Sequence, residues 1–232
     1  MKAIRCSRFP SAIICSMAMV VVVGCSTPPT EPPISVVNVY ATSAARPWLE
    51  AFYSCAASTT AIRLSDPDSA DVEVRLGEPA PLSLPAFQIG DEDILVVVHP
   101  LDAVGALNAF QVQRLFAGEV TNWSALGGAD LPVRVWTYSS DEDVQVYFDR
   151  VVMDGRPVTS LARLAVSAQA MSDAVGATPG AVGFLPRRWK TGNTREVLQL
   201  PSIPVLAIAR TEPTGIARQL LGCVQSSSDG SP

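Results

Sequence analysis

The densest group of reactive side chains lies in one short loop, where Ser139 and Ser140 precede three carboxylates, Asp141, Glu142 and Asp143. A serine followed three residues later by an acidic residue is the pattern of a capping box, in which side chains accept the free N–H groups of a helix start. The three negative charges also complement the positive end of a helix dipole. We therefore favour a self-capped helix over an anion site. A cationic or amine-bearing ligand for these carboxylates stays open.

A second polar group, Thr42, Ser43 and Arg46, comes just before Pro47, which indicates a helix start. Hydroxyl residues in such a position commonly form turns and caps. Arg46 could instead hold an anion, or it could pair with the carboxylates around Asp141 if the two segments face each other. These roles stay open on the residues alone.

Other kinds of site are disfavoured. His99 is the only histidine, and no Cys-x-x-Cys pair accompanies it, so we expect no metal. No Gly-x-Ser-x-Gly motif indicates a hydrolase nucleophile. Asp91, Glu92 and Asp93 are typical of a solvated turn before a strand. We expect no catalytic residues, no cofactor and no enzymatic activity.

The first 24 residues are predicted to be a lipoprotein signal peptide. Three basic residues precede a short apolar stretch, residues 12–23, which is too short for a bilayer that needs about 20 residues. The sequence Val-Val-Gly-Cys at 22–25 predicts that Cys25 is lipidated and becomes the first residue, although an ordinary signal peptide stays possible. Residues 25–35 are rich in proline and predict an extended tether.

The signal peptide and Cys25 together predict an extracytoplasmic domain, lipid-anchored to the cell membrane. The chain has 232 residues, and loss of its signal would change the formal net charge from −5 to −8, because three basic residues leave. We expect an acidic domain of this kind to stay in solution, with membrane contact through the lipid anchor only. No basic run suggests a nucleic-acid partner.

The remaining sequence alternates strand and helix patterns, which predicts an α/β fold with mainly parallel pairing. Residues 94–98 form a continuous apolar run and predict a buried strand. Asn108 and Gln111 form a capping box that predicts a helix closed by Gly118. A last helix is predicted over 213–223.

Two motifs carry a resemblance to a known family. "FAGEVTNWSALGG" lies within residues 86–128, and "SDAVGATPGAVGFLP" forms residues 172–186. Together with residues 36–54, they resemble, in the same order, segments of the phosphate-type periplasmic solute-binding proteins of ABC importers. The resemblance implies a two-lobed, periplasmic-binding-protein-like (type II) α/β fold with hinge strands. Lobe 1 would comprise 36–97 plus 187–224, lobe 2 would comprise 98–186, and 225–232 would be a disordered tail.

The family binds its ligand between the lobes and delivers it to an ABC permease. The resemblance therefore implies a small-molecule or ion ligand, possibly an oxyanion, held by residues from both lobes: Thr42, Ser43, Arg46, Ser139, Ser140 and Asp141. It also places Cys55 and Cys223 on helices of one lobe. In an exported domain this favours a disulfide over two buried thiols.

Two departures qualify the resemblance. The family has a glycine- and serine-rich loop and a helix where this chain has only a few residues, between "TAIRL" and "ADVEVRLG", so lobe 1 is reduced. The acidic loop at 139–143 replaces the usual small residues. A degenerate sensor or interaction module with little small-molecule affinity is therefore the alternative to a solute receptor.

Overall fold

The computed structural model describes residues 34–58 and 60–228. Its strands are β1 (Ser35–Ala41), β2 (Thr60–Leu64), β3 (Val72–Leu76), β4 (Ala86–Glu92), β5 (Ile94–Val98), β6 (Arg134–Thr137), β7 (Arg163–Leu164), β8 (Ala181–Pro186), β9 (Arg195–Gln199) and β10 (Ile203–Ala209). Its α-helices are α1 (Leu49–Cys55), α2 (Ala109–Phe116), α3 (Asp143–Phe148), α4 (Ala168–Ala177) and α5 (Gly215–Ser228). The signal sequence, Cys25 and most of the predicted tether lie outside the described residues.

The strands form two five-stranded sheets, one in each lobe. The sheet of lobe 1 has the order β2-β1-β3-β10-β4, and that of lobe 2 has the order β7-β6-β8-β5-β9. In β1 and β3 alternate side chains are buried, as expected for strands with one face in a core. Every residue of β5 is buried, which confirms the prediction made from the apolar run, and every residue of β8 is buried as well. The two-lobed α/β architecture is thus as expected.

Strand pairing and lobe boundaries differ from the expectation. Parallel pairs, such as β1 with β2 and β3, are matched by antiparallel ones, such as β10 with β3 and β4. β5 pairs with β8 and β9, so residues 94–98 and 195–199 belong to lobe 2 rather than lobe 1. The chain passes from lobe 1 to lobe 2 between β4 and β5, and it returns between β9 and β10. In lobe 1, β10 is antiparallel to β4, and in lobe 2, β9 is antiparallel to β5.

Lobe 1 is closed by its first and last helices. A disulfide joins Cys55 at the end of α1 to Cys223 in α5, with Cα atoms 5.8 Å apart and a sequence separation of 168. α5 continues to Ser228, beyond the expected helix end, so the predicted disordered tail from 225 begins too early. In the described residues, no helix has the length and apolar character needed to cross a membrane.

The start and the end predicted for the first long helix of lobe 2 are both present. Asn108 and Gln111 form both bonds of the predicted capping box at the start of α2. Gly118, with φ of 77°, follows the end of that helix, where its left-handed backbone conformation favours glycine. Trp123 is fully buried and its indole N–H donates to the carbonyl of Gly180 at 3.0 Å, a link between the two motifs of the resemblance.

Candidate functional site between the lobes

A buried carboxylate forms the centre of the contact between the lobes. Oδ2 of Asp143, at the start of α3, accepts hydrogen bonds from the Thr42 hydroxyl at 2.6 Å and from the Leu76 N–H at 2.8 Å. Oδ1 accepts from the N–H of Val144 at 2.8 Å. Only 3% of Asp143 is exposed. One lobe 2 side chain is therefore held by two segments of lobe 1.

The topology of lobe 1 explains why these two donors converge. β1 and β3 are adjacent and parallel, so their carboxyl ends lie at the same edge of the sheet. Thr42 follows β1, and its N–H donates to the carbonyl of Val74 at 3.0 Å, which fixes it beside the end of β3. Leu76 ends β3, and Gly77, with φ of 74°, turns the chain away. The resulting edge presents a hydroxyl and an N–H to lobe 2.

A second hydrogen bond runs parallel to the first. The Ser43 hydroxyl donates to Oε2 of Glu142 at 2.9 Å. Burial raises the pKa of Glu142, and the neighbouring charges of Asp143 and Asp141 raise it further, whereas the bond from Ser43 and the charge of Arg46 lower it. Arg46 itself is exposed and makes no salt bridge in the described part of the chain. The lobes are thus joined by hydroxyl–carboxylate bonds rather than by an ion pair with Arg46.

The first three residues of the acidic loop lie on its exposed rim. Ser139, Ser140 and Asp141 are exposed, and the Ser139 hydroxyl donates to Oδ1 of Asp141, which lowers the pKa of that carboxyl. The predicted capping boxes are wrong: α3 has Glu142 at its N-cap position without a side-chain cap bond. The side chains of Glu142 and Asp143 instead take donors from lobe 1, which a pattern confined to one segment cannot reveal.

Two of the six predicted ligand residues, Thr42 and Ser43, thus make the contact between lobes, and Arg46 lies close enough to affect Glu142. Sequence reasoning missed Glu142, Asp143 and the N–H of Leu76 as members of this site. One sequence feature could have indicated this contact: two hydroxyl residues precede a helix in lobe 1, and consecutive carboxylates stand at the start of a helix in lobe 2.

Comparison with known proteins agrees with this architecture. A sequence profile described as PBP superfamily domain matches residues 84–216, more than half of the chain. The chain belongs to the PBP superfamily.

This PBP-superfamily chain is similar to phosphate-binding proteins. The Phosphate-binding protein PstS of Bacillus subtilis (strain 168) is 22% identical over 156 residues, an alignment that covers 60% of this chain and 51% of that protein. The chain therefore spans about half the length of the curated relative it matches.

Solved structures show the same fold in transport and regulatory proteins. One, from Clostridium perfringens, is assigned as a phosphate ABC transporter substrate-binding protein and contains bound phosphate. Its TM-score is 0.74 at 16% identity, covering 82% of this chain and 93% of that one. Another is the Synechocystis PCC6803 CcmR regulatory domain in complex with 2-PG, with a TM-score of 0.58 at 11% identity, covering 85% of this chain and 99% of that one. The PBP fold alone therefore does not distinguish a receptor from a sensor.

The hinge of this PBP-superfamily protein holds a second buried carboxylate. Oε2 of Glu92, at the end of β4, accepts from the Trp48 indole at 2.9 Å and lies 3.1 Å from Nε of Arg188, whose guanidinium stacks 4.2 Å from the Trp48 ring. Burial raises the pKa of Glu92. A side chain at Gly90 would collide with Trp48, so glycine permits the close approach. The expectation of a solvated turn is wrong for Glu92, which joins Trp48, immediately before α1, to Arg188, between β8 and β9.

His99 has a local structural role. Its Nδ1 accepts the N–H of Leu101 at 3.2 Å, and the buried carboxylate of Asp102 lies 3.8 Å away. Asp102 in turn accepts the N–H of Gly180 at 2.8 Å. Within residues 34–58 and 60–228, no group of three or more histidine, cysteine, aspartate and glutamate side chains could hold a metal ion.

Proposed function

We propose that the protein is an extracytoplasmic sensor or interaction module of the PBP superfamily that does not capture phosphate at neutral pH. The observation that carries the proposal is the contact of Asp143 with Thr42 and Leu76, because the donors available to a ligand at this edge are already engaged by the chain itself. Asp143 and Glu142 of lobe 2 accept hydrogen bonds from Thr42, Leu76 and Ser43 of lobe 1.

Electrostatics support the exclusion of phosphate. A phosphate dianion entering this cleft would meet the charges of Asp143 and Glu142 in a partly desolvated space. At an effective dielectric constant of about 20, one like-charge pair 4 Å apart costs about 4 kcal/mol, comparable to a loss of roughly three orders of magnitude in affinity. Arg46 alone offsets only part of that repulsion, since it is exposed.

The second candidate function is a solute receptor that delivers a ligand, possibly an oxyanion, to an ABC permease. The similarity to phosphate-binding proteins favours it, as does the presence of two lobes with polar groups between them. In this function the lobes would have to open before the ligand could replace the carboxylates.

Both candidate functions include attachment to the membrane through a lipid on Cys25. It is supported by the Val-Val-Gly-Cys sequence after a short apolar stretch. Intact mass of protein extracted from membranes should show residues 1–24 missing and acyl chains added. A soluble product that begins at another residue would contradict the lipid anchor.

The proposed function is tested by calorimetric titration of the purified, unmodified protein with inorganic phosphate at pH 7 and low salt. We expect no saturable binding at phosphate concentrations up to about 1 mM. This result would mean that the binding free energy is weaker than about 4 kcal/mol. Micromolar or tighter binding would favour the solute receptor instead.

A further inference from the structure

We propose that Asp143 is a built-in ligand: its carboxylate occupies the position in which this cleft would otherwise hold an oxyanion, and it thereby determines that oxyanions are excluded. This inference rests on the proposed function, since it identifies the residue that makes the cleft unavailable to phosphate.

Three hydrogen-bond donors converge on the Asp143 carboxylate. The Thr42 hydroxyl and the N–H groups of Leu76 and Val144 all donate to Asp143, at 2.6 to 2.8 Å. They come from three separate segments, two in lobe 1 and one in lobe 2. Hydroxyl and backbone N–H groups that converge on one anion are the donors that bind a desolvated oxyanion.

Asp143 is almost fully buried, yet it forms no salt bridge with a side chain of the described segments. A buried charge is costly unless it is paired or fully hydrogen-bonded. Here neutral hydrogen-bond donors alone balance the charge of Asp143. The same surroundings would therefore suit the anionic group of a free solute.

The two carboxylate oxygens of Asp143 accept hydrogen bonds from different lobes. A side chain that served only to cap α3 would direct its oxygens to the N–H groups of its own helix, as Oδ1 does toward Val144. Oδ2 instead accepts both of its donors from lobe 1. Because the carboxylate is attached to lobe 2, its local concentration at this position is far higher than that of a free solute. The same bonds therefore exclude a soluble anion and keep the lobes closed.

Removing the side chain should convert the contact into an oxyanion site. In Asp143→Gly the three donors would lose their acceptor, the volume of the carboxylate would be vacated, and one like charge would be gone. Glu142 would remain bonded to Ser43. Asp143→Asn is the matched control for charge alone, since asparagine is neutral but fills the same volume. Asp141→Gly is the control for backbone flexibility, because Asp141 lies on the exposed rim of the same loop.

The experiment titrates inorganic phosphate and sulfate into the unmodified protein and the three variants, with circular dichroism and thermal unfolding as folding controls. We expect Asp143→Gly to bind at least one of the two anions at least about 100-fold more tightly than the unmodified protein, because the vacated volume lets the anion accept the hydrogen bonds that Asp143 has released, in addition to the loss of one like charge. Asp143→Asn and Asp141→Gly should gain less than about 10-fold, which is about 1.4 kcal/mol. Asp143→Ser replaces the glycine variant if the latter does not fold.

The outcomes separate the two proposals. Tight phosphate binding by the unmodified protein overturns the proposed function. If neither the unmodified protein nor a folded Asp143→Gly or Asp143→Ser variant binds either anion, the proposed function stands and the built-in ligand is refuted. An equal gain in Asp143→Asn would also refute it, because occupancy of the position would then not matter.

Discussion

In lobe 2 the rings of Phe148 and Phe184 stack with their centroids 3.8 Å apart, and Phe116 and Tyr138 pack against them. Lobe 1 has no comparable aromatic cluster in the described residues. Its β2 and β3 are joined without an α-helix, through a short 3-10 turn at Pro67–Ser69, and a disulfide links its two terminal helices. Both lobes have buried apolar cores, but the aromatic cluster belongs to lobe 2 and the covalent link to lobe 1.

The two lobes contribute different groups to the cleft. Each lobe supplies one side of the site: lobe 1 the donors after β1 and β3, and lobe 2 the carboxylates before α3. We expect each lobe to depend on its own stabilising feature, the disulfide in lobe 1 and the aromatic cluster in lobe 2. Perturbing each unit in turn, and then the contact, should give distinct results.

The largest effect is expected from loss of the disulfide. Cys55→Ala with Cys223→Ala should lower the free energy of unfolding by about 4–5 kcal/mol, because the closed loop is long and the unfolded chain gains entropy when it is released. Amide hydrogen exchange should accelerate mainly in β1, β3 and α5. Chemical reduction of the unmodified protein is the control and should give the same change. Equal acceleration in both lobes would contradict independent stabilisation.

Truncation of the aromatic cluster should show the reverse pattern. Phe148→Ala should cost about 3–5 kcal/mol, because Phe148 is fully buried and its removal leaves a cavity. Exchange should accelerate mainly in β5 and β8. Phe110→Ala, in the same lobe but with 63% of the side chain exposed, is the matched control and should change stability by less than about 0.5 kcal/mol. Comparable losses in both variants would show that the cluster does not dominate lobe 2.

The smallest effect concerns the pH dependence of the contact. The pKa of Glu142 is raised in the folded protein, mainly by burial, so its stabilising contribution is complete below its unfolded pKa and is lost as pH rises through the folded pKa. The unmodified protein should therefore lose more stability between pH 4 and pH 7 than Glu142→Gln does. We expect a difference of less than about 1 kcal/mol, because the group is only partly buried.

Thermal unfolding at several pH values measures this difference. The pKa values of Glu92, Asp102 and Asp149 are also raised by burial, but these residues are present in both proteins and cancel in the comparison. Asp141→Asn is the control, with the opposite expected sign, because a hydrogen bond from Ser139 lowers the pKa of Asp141. A steeper pH dependence in Glu142→Gln would mean that Glu142 is stabilised in its charged form.

Much of the fold could be predicted from local patterns. The capping box at Asn108, the apolar run of β5 and the short β2–β3 connection each depend on neighbouring residues, and each is present as expected. The pairing direction of β5 and β9 could not be predicted in this way, because it depends on which lobe the chain enters after each crossing.

The sequence by itself determined the α/β alternation, the buried strand at 94–98, the start of α2, the family resemblance and the segments that border the cleft. Only the tertiary structure decided what the carboxylates of the acidic loop do. A capping box and a contact between lobes require the same residue types at the same spacing. The choice between them depends on whether competing donors, here Thr42, Ser43 and the N–H of Leu76, are brought within 3 Å from elsewhere in the chain. Two of these donors follow β1, and the third ends β3, so their convergence exists only once those strands have paired.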